Sequence, residues 1–208
     1  MMSGKRWGYV VQFFCLLVFL GMSPFLIKMD GRKTMSVSSD SVRSQNVSDE
    51  VKPVVALTFD DGPNASSTPI LLDGLKERKV RATFFLIGEN VEKDENEKIV
   101  KRMYEEGHLI GNHTYTHCNL SKLETGEAKK ELEQTDTVIE KITGKQPVFV
   151  RAPYGELPVD SEQDLNRIYI GWTVDPLDWM TEDVSRITQS VLEKVEPGDI
   201  ILLHDSYL

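Results

Sequence analysis

The sequence predicts an α/β fold built on a parallel sheet buried on both faces, either doubly wound or closed into a barrel. Three observations carry this. Short runs of β-branched and aromatic residues recur along the chain. Amphipathic segments of helical period separate them, and strand–helix alternation is the signature of parallel strands joined by crossover helices. Finally, charged and imidazole side chains stand at the C-terminal ends of the strand-like runs, where parallel α/β folds gather their functional groups.

The elements read as follows. "VVALTF" (54–59) is the first strand, and Thr68 as N-cap with Pro69 as first helical residue opens a helix whose apolar stripe is Ile70, Leu71 and Leu75. "ATFFLIG" (82–88) is the second strand, followed by a stripe of Ile99, Val100, Met103 and Tyr104 that stops at Gly107. "HLIGN" (108–112) is a weaker strand. After it, Ala128, Leu132, Thr135, Ile139 and Ile142 line a helix that stops at Gly144. "VFVRAP" (148–153) and "IYIGWTV" (168–174) are the next strands. Asp183 then opens a stripe of Val184, Ile187, Val191 and Val195, ended by Pro197 and Gly198 before the final strand, "DIILLH" (199–204).

Composition sets the class. The chain has 208 residues, of which 40% are hydrophobic and 27% charged, enough for one sizeable globular domain. A formal net charge of -9 argues against a nucleic-acid partner, which announces itself as a basic surface. Ahead of the domain, residues 1–29 hold an uncharged run from Trp7 to Ile27, long enough to cross a bilayer core of about 30 Å as a helix. It reads as a signal peptide or an uncleaved membrane anchor, and the lack of an A-x-A-like site after its apolar core favours the anchor. Residues 30–52 are serine-rich and poor in large apolar groups, as a solvated stalk is. The domain, residues 53–208, would thus stand outside the cell membrane on a single-pass anchor, or be secreted if the segment is cleaved. Cys118 is the only thiol past the apolar run, so no disulfide can form within the domain.

The strand ends carry the candidate chemistry. "TFDDGP" places Asp60 and Asp61 after the first strand; "GNHTYTH" places His113 and His117 after the third; "RAPYG" supplies Arg151, Pro153 and Tyr154; "DPLDW" supplies Asp175; and "LLHD" supplies His204. Histidines at i and i+4 can share one face of a helical turn and grip one ion, as in H-E-x-x-H, although Thr114 stands where a protease keeps its glutamate. Any one of these motifs alone is an ordinary turn or loop. Their joint placement on one rim is not.

In this order and at these separations, "TFDDGP", "HTYTH", "RAPYG", "DPLDW" and "LLHD" resemble the five motifs of the polysaccharide deacetylases, carbohydrate esterase family 4, and the resemblance covers about Pro53 to Leu208. One departure is Ala152, where many members have proline. The resemblance implies a distorted (β/α) barrel with fewer than eight strands. Members usually continue past the "LLHD" motif for a helix, a strand and a helix, so the resemblance also leads one to expect an uncovered apolar edge on "DIILLH" and a domain of marginal stability.

The same resemblance implies a reaction. Asp61, His113 and His117 would hold a divalent metal, Zn2+ by ligand type with Co2+ or another ion as alternatives, and leave coordination open for water and substrate. Asp60 would be the general base toward the attacking water, kept ionised and oriented by Arg151. His204 would be the general acid that protonates the leaving amine, with Asp175 raising its pKa and fixing its ring. The backbone N–H of Tyr154 would meet the oxyanion, while Trp179 and Leu202 would wall the sugar and the acetyl methyl beside Pro153. Cys118 is not expected to join the ligands, because consecutive side chains point apart. The expected activity is removal of acetyl groups from N-acetylglucosamine in peptidoglycan, since Tyr154 resembles members acting on that sugar; chitin-like oligomers, acetylated xylan and a non-catalytic glycan- or metal-binding remnant are the alternatives.

Overall fold

A computed structural model describes residues 53–93, 95–159 and 166–206. The anchor and stalk expected over residues 1–52 lie outside them. No helix among the described residues is long and apolar enough to cross a membrane.

The strands are β1 (Ala56–Asp60), β2 (Thr83–Leu86), β3 (Leu109–Asn112), β4 (Phe149–Val150), β5 (Ile168–Tyr169) and β6 (Ile200–His204). They form one sheet in the order β5-β4-β3-β2-β1-β6, and every pairing is parallel. The helices are α1 (Thr68–Glu77), α2 (Gly88–Val91), α3 (Asn96–Glu105), α4 (Thr125–Thr143) and α5 (Val184–Lys194).

Helix boundaries follow local chemistry. α1 begins one residue earlier than the sequence suggested: Ser67 is the N-cap, Thr68 is the first helical residue, and Pro69 sits in the first turn. The buried stripe becomes Thr68, Leu72 and Leu75 at i, i+4 and i+7, which turns Ile70 to solvent at 66% exposure. In α3 the stripe Ile99, Val100 and Met103 is buried as its period requires. α4 opens on a capping box between Glu124 and Glu127 and ends on Gly144 in the left-handed region at φ 73. α5 is capped by Asp183, whose carboxylate accepts from the Ser185 and Arg186 N–H groups at 3.0 and 3.1 Å.

The helix side of the sheet holds the core. Phe59, Phe84, Leu86, Leu72, Val100 and Met103 belong to one buried cluster between β1, β2 and the helices α1 and α3, while Leu132 and Val150 anchor a second under α4. At about 25 cal/mol per Å2 of apolar area, these two clusters are the main source of stability. The opposite face of the strands carries Thr58, Asp60, Phe85, Leu202 and His204, in register with one another across β2, β1 and β6.

The run "IYIGWTV" is not one strand. Ile168 and Tyr169 pair with β4, and the chain then crosses to the far edge of the sheet, where Thr173 and Val174 donate to the Ile200 carbonyl at 2.9 and 3.1 Å and Leu202 N–H donates back to Val174 at 2.9 Å. Both sheet edges therefore meet this one stretch, and the sheet curls into a distorted half-barrel. The outer edge of β6, expected to be bare, is bridged at Ile201 by Val174. On the helix side an apolar groove of about 380 Å3 runs between α1 and α5, lined by Leu57, Leu71, Leu75, Ile187, Val191 and Leu203 among others.

Candidate metal and acid–base site

β1 ends in two carboxylates that diverge because the backbone turns between them. Asp61 adopts φ 71, a left-handed conformation that aspartate tolerates better than most residues, and this aims its side chain toward the end of β3. There, Asp61 Oδ1 lies 3.3 Å from His113 Nε2 and 3.2 Å from His117 Nε2. The three groups offer ligand atoms within 4.8 Å of one another. Asp61 Oδ1 is buried and finds no hydrogen bond, although two ring nitrogens face it. Burial alone would raise the Asp61 pKa, but the two imidazoles outweigh it and hold the carboxyl below the usual carboxylate range.

Tautomer chemistry favours a cation at this point. His113 Nδ1 is 2.7 Å from the Arg151 carbonyl oxygen, which can only accept, so Nδ1 carries a proton and Nε2 is the ring atom left to Asp61. Burial would lower the His113 pKa, but Asp60 and Asp61 raise it and favour a proton on Nε2 as well while no cation is bound; a divalent ion would take that proton's place. Two imidazoles and an ionised carboxylate meeting at one spot suit a divalent metal ion. The two histidines do not ride a helical turn, as their spacing suggested. They flank a loop in which Thr114 at φ 65 and His117 at φ 59 reverse the chain's hand. Cys118 follows His117 and stands apart from this ligand group.

Asp60 is buried and paired. Its Oδ1 accepts from Arg151 Nη1 at 2.7 Å, and its Oδ2 lies 3.7 Å from His113 Nε2. Burial pushes its pKa above the usual carboxylate value, against the pull of His113 and the Arg151 guanidinium. Such a carboxylate is a stronger proton acceptor than an ordinary aspartate. Arg151 is 1% exposed and fully engaged: Nη1 also donates to Thr58 Oγ1 at 2.8 Å, Nη2 to the Gly171 carbonyl at 3.0 Å and Nε to the Ile170 carbonyl at 3.3 Å. Its guanidinium stacks over the Phe85 ring, 4.2 Å from the centroid. The arginine thus stitches the seam of the half-barrel as well as holding Asp60.

His204, at the end of β6, stands beside its register partner Asp60 at the end of β1. The carboxylate that holds it is Asp178, not Asp175: Oδ1 is 2.8 Å from Nδ1, and Oδ2 accepts from the His204 N–H at 2.7 Å. Asp175 is spent on the turn, accepting from the Leu177 N–H at 2.7 Å. That turn, with Leu177 at φ 60, brings Asp178 round to His204. Burial alone would lower the His204 pKa, but Asp178 overrides it and raises the pKa above the ordinary histidine value.

The rim is partly apolar. Tyr154, at φ 63, is 66% exposed and packs edge-on to His117 at 5.0 Å, while no described residue accepts from its N–H. Trp179 is 53% exposed on the same turn as Asp178. Pro153 is buried, and Leu202, 4% exposed, lies one inward position below His204. Of the seven non-glycine residues with positive φ among the described residues, Asp61, Thr114, His117, Tyr154 and Leu177 are at this site. Each left-handed residue costs on the order of 1–2 kcal/mol, so strain is concentrated where side chains must be aimed.

Comparison with known proteins gives this geometry a family. The family model described as polysaccharide deacetylase matches residues 48–170. The chain belongs to the polysaccharide deacetylase family. It is 44% identical over 158 residues to a peptidoglycan-N-acetylglucosamine deacetylase of Bacillus cereus, an alignment covering 74% of this chain and 57% of that protein. It is 42% identical to a chitooligosaccharide deacetylase of Bradyrhizobium, with coverage of 74% and 71%. Among solved structures it resembles the peptidoglycan deacetylase PdaC from Bacillus subtilis, with a TM-score of 0.72, 39% identity, and 76% and 78% of the two chains covered. The chain thus spans little more than half the length of the Bacillus cereus relative, and the half-barrel is the fold of the family.

Three groups here escaped the sequence reading. Asp178 was legible as the second acid of "DPLDW". Thr58, under Arg151, had no signal beyond its place in a strand. Asp205 was the unused half of "LLHD": its side chain accepts from Thr68 Oγ1 at 2.7 Å, its carbonyl accepts from Ser67 Oγ, and its carboxylate leaves room at Gly62 for no side chain at all. It fastens the loop after Asp61 to the start of α1.

Proposed function

We propose that this chain is a metal-dependent hydrolase that removes acetyl groups from N-acetylglucosamine residues of a cell-wall polysaccharide, peptidoglycan foremost. The observation that carries the reading is the buried Asp61 oxygen faced by two imidazoles, with a paired carboxylate and a carboxylate-held histidine on the adjoining strand ends. Asp61, His113 and His117 would hold the ion; by ligand type it is Zn2+, with Co2+ a close alternative. When bound, such an ion supplies Lewis acidity to the acetyl carbonyl and acidifies water.

The remaining work falls to the chain's own side chains. Asp60 takes the proton of the attacking water, and Arg151 fixes which oxygen of Asp60 is free to do so. His204, held in its charged form by Asp178, gives a proton to the amine nitrogen as the C–N bond breaks. The Tyr154 N–H is the donor available to the oxyanion. Trp179 and Tyr154 offer exposed aromatic faces for a sugar ring to rest against.

We place the domain outside the membrane, carried by the apolar segment at residues 7–27 and the serine-rich stalk. One observation favours a second substrate: the chitooligosaccharide deacetylase of Bradyrhizobium is matched over a larger share of its own length than the peptidoglycan enzyme of Bacillus cereus. Measuring acetate released from peptidoglycan, chitin oligomers and acetylated xylan separates the readings. Release from peptidoglycan above the others supports the first, preference for chitin oligomers supports the second, and no release from any of them with metal bound sinks both.

A further inference from the structure

The bridge between the two histidines, Thr114 to Thr116, is held from both sides. Its Thr114 and Tyr115 carbonyls accept from the Gly88 and Glu89 N–H groups, each at 3.0 Å. Gly88 allows this approach because a Cβ there would stand 2.4 Å from Tyr115 Cδ2 and 3.1 Å from Tyr115 Cα. On the other side, one carboxylate accepts from the Tyr115 and Thr116 N–H groups and the Thr116 hydroxyl, while the Tyr115 hydroxyl donates to Glu92. Glu131 Oε2 accepts from the Tyr115 N–H at 2.9 Å and the Thr116 N–H at 2.8 Å, and Glu131 Oε1 accepts from Thr116 Oγ1 at 3.1 Å.

We infer that Glu131, half-buried on α4, is a positioning residue that sets the spacing and aim of the His113 and His117 imidazoles, and through them the affinity of the site for a divalent metal. The inference rests on the metal-site reading above. Two successive N–H groups converging on one anion form a small nest, and the carboxylate fits it as a keystone fits an arch. The bridge contains a left-handed residue at Thr114 and leads into another at His117, so its shape is imposed from outside. Glu131 reaches the bridge's N–H groups and hydroxyl, and it stands outside the Asp61, His113 and His117 ligand group. Outer partners that orient ligating histidines commonly set metal affinity by ten- to a hundredfold.

The test compares Glu131→Ala, Glu131→Gln and, as a control on the same helix, Glu133→Ala, which faces solvent and pairs with Lys129 at 3.6 Å. Affinity of the purified chain for Zn2+ and Co2+ is read by competition with a chromophoric chelator, metal release by stopped flow, and folding by circular dichroism. Glu131→Ala should bind about ten- to a hundredfold more weakly, mainly through faster release, while Glu131→Gln, which keeps an acceptor oxygen for the nest, should stay within about threefold of the parent. If Glu131→Ala is folded and binds like the parent, the inference is wrong. It is equally wrong if Glu131→Gln is as weak as Glu131→Ala, because charge and not hydrogen-bond acceptance would then be responsible. Should the alanine variant not fold, the glutamine variant decides alone: near-parental affinity supports the acceptor role and a tenfold loss overturns it. A parent chain that binds neither ion overturns the metal site itself, and this inference with it.

Discussion

Asp178 grips His204 at two points, the ring Nδ1 at 2.8 Å and the backbone N–H at 2.7 Å. As the proposed general acid, His204 must be protonated at working pH, and its raised pKa keeps it so further into the alkaline range. Asp178→Asn removes the charge that raises it. The alkaline limb of kcat/KM for acetate release should therefore move to lower pH, with activity at neutral pH falling about ten- to a hundredfold. Asp175→Asn should leave that limb in place, since Asp175 supports only the Leu177 turn. A limb that moves equally in both variants would reassign the acid's partner.

The ligand set makes a sharper demand. Asp61→Ala, His113→Ala and His117→Ala should each lose one-to-one binding of a divalent ion in calorimetric titration, because water replaces none of these ligands well. Cys118→Ser should bind as the parent does. Removing the ion with a chelator should lower the melting temperature by an amount that grows with the metal concentration it replaces. Stoichiometric binding retained in His113→Ala would rule out this site.

Asp60 and Arg151 separate chemistry from scaffold. Asp60→Asn keeps the shape and a hydrogen-bond acceptor for Arg151, so metal binding should survive while turnover falls by a factor of about a hundred or more. Arg151→Leu is different, because it leaves Asp60 buried without its partner and opens the seam at Gly171 and Ile170. Breaking a buried pair from one side costs about 3–5 kcal/mol, which for a domain of this size lowers the melting temperature by roughly 10 °C. Thermal unfolding of the two variants side by side is the measurement. A melting temperature of Arg151→Leu equal to the parent's would show that the arginine does not hold the barrel together.

The strand ends were readable in the sequence because alternation and helical stripes fix which face each residue takes, and the parallel order then collects Asp60, Asp61, His113, Arg151 and His204 at one rim. What the pattern could not supply was the local backbone. The i, i+4 spacing of His113 and His117 fits a helical turn as well as it fits the left-handed loop found here, and only the hydrogen bonds that Gly88 and Glu89 donate and Glu131 accepts choose between them. The choice of Asp178 over Asp175 depends on a turn at Leu177, one residue with positive φ. The split of "IYIGWTV" between two edges follows from sheet curvature, which is set by how far apart strands lie in space. Periodicity carries no information on that distance.

Asp205 gives the last prediction, on stability. Burial raises its pKa from 3.8 to about 7, and the nearby Asp61 charge adds to the rise while the Thr68 hydroxyl opposes it. The folded state therefore holds this proton more tightly than the unfolded state does. Below about pH 4 both states are protonated and nothing is lost. Between pH 4 and 7 the unfolded chain releases the proton first, so stability falls as pH rises; above pH 7 the loss is constant, on the order of 4 kcal/mol at most. Asp205→Asn mimics the protonated acid, keeps an oxygen for Thr68, and has no proton to lose. In chelator-treated protein, its melting temperature should match or fall slightly below the parent's at pH 4 and exceed it at pH 8, with the gap opening between those values. Asp60, raised in the same direction, is present in both proteins, so the difference reports Asp205 together with its coupling to Asp60 and Asp61. Parallel curves of melting temperature against pH would show that Asp205 is ionised in the folded protein throughout, and that the loop after Asp61 is fastened by a charge.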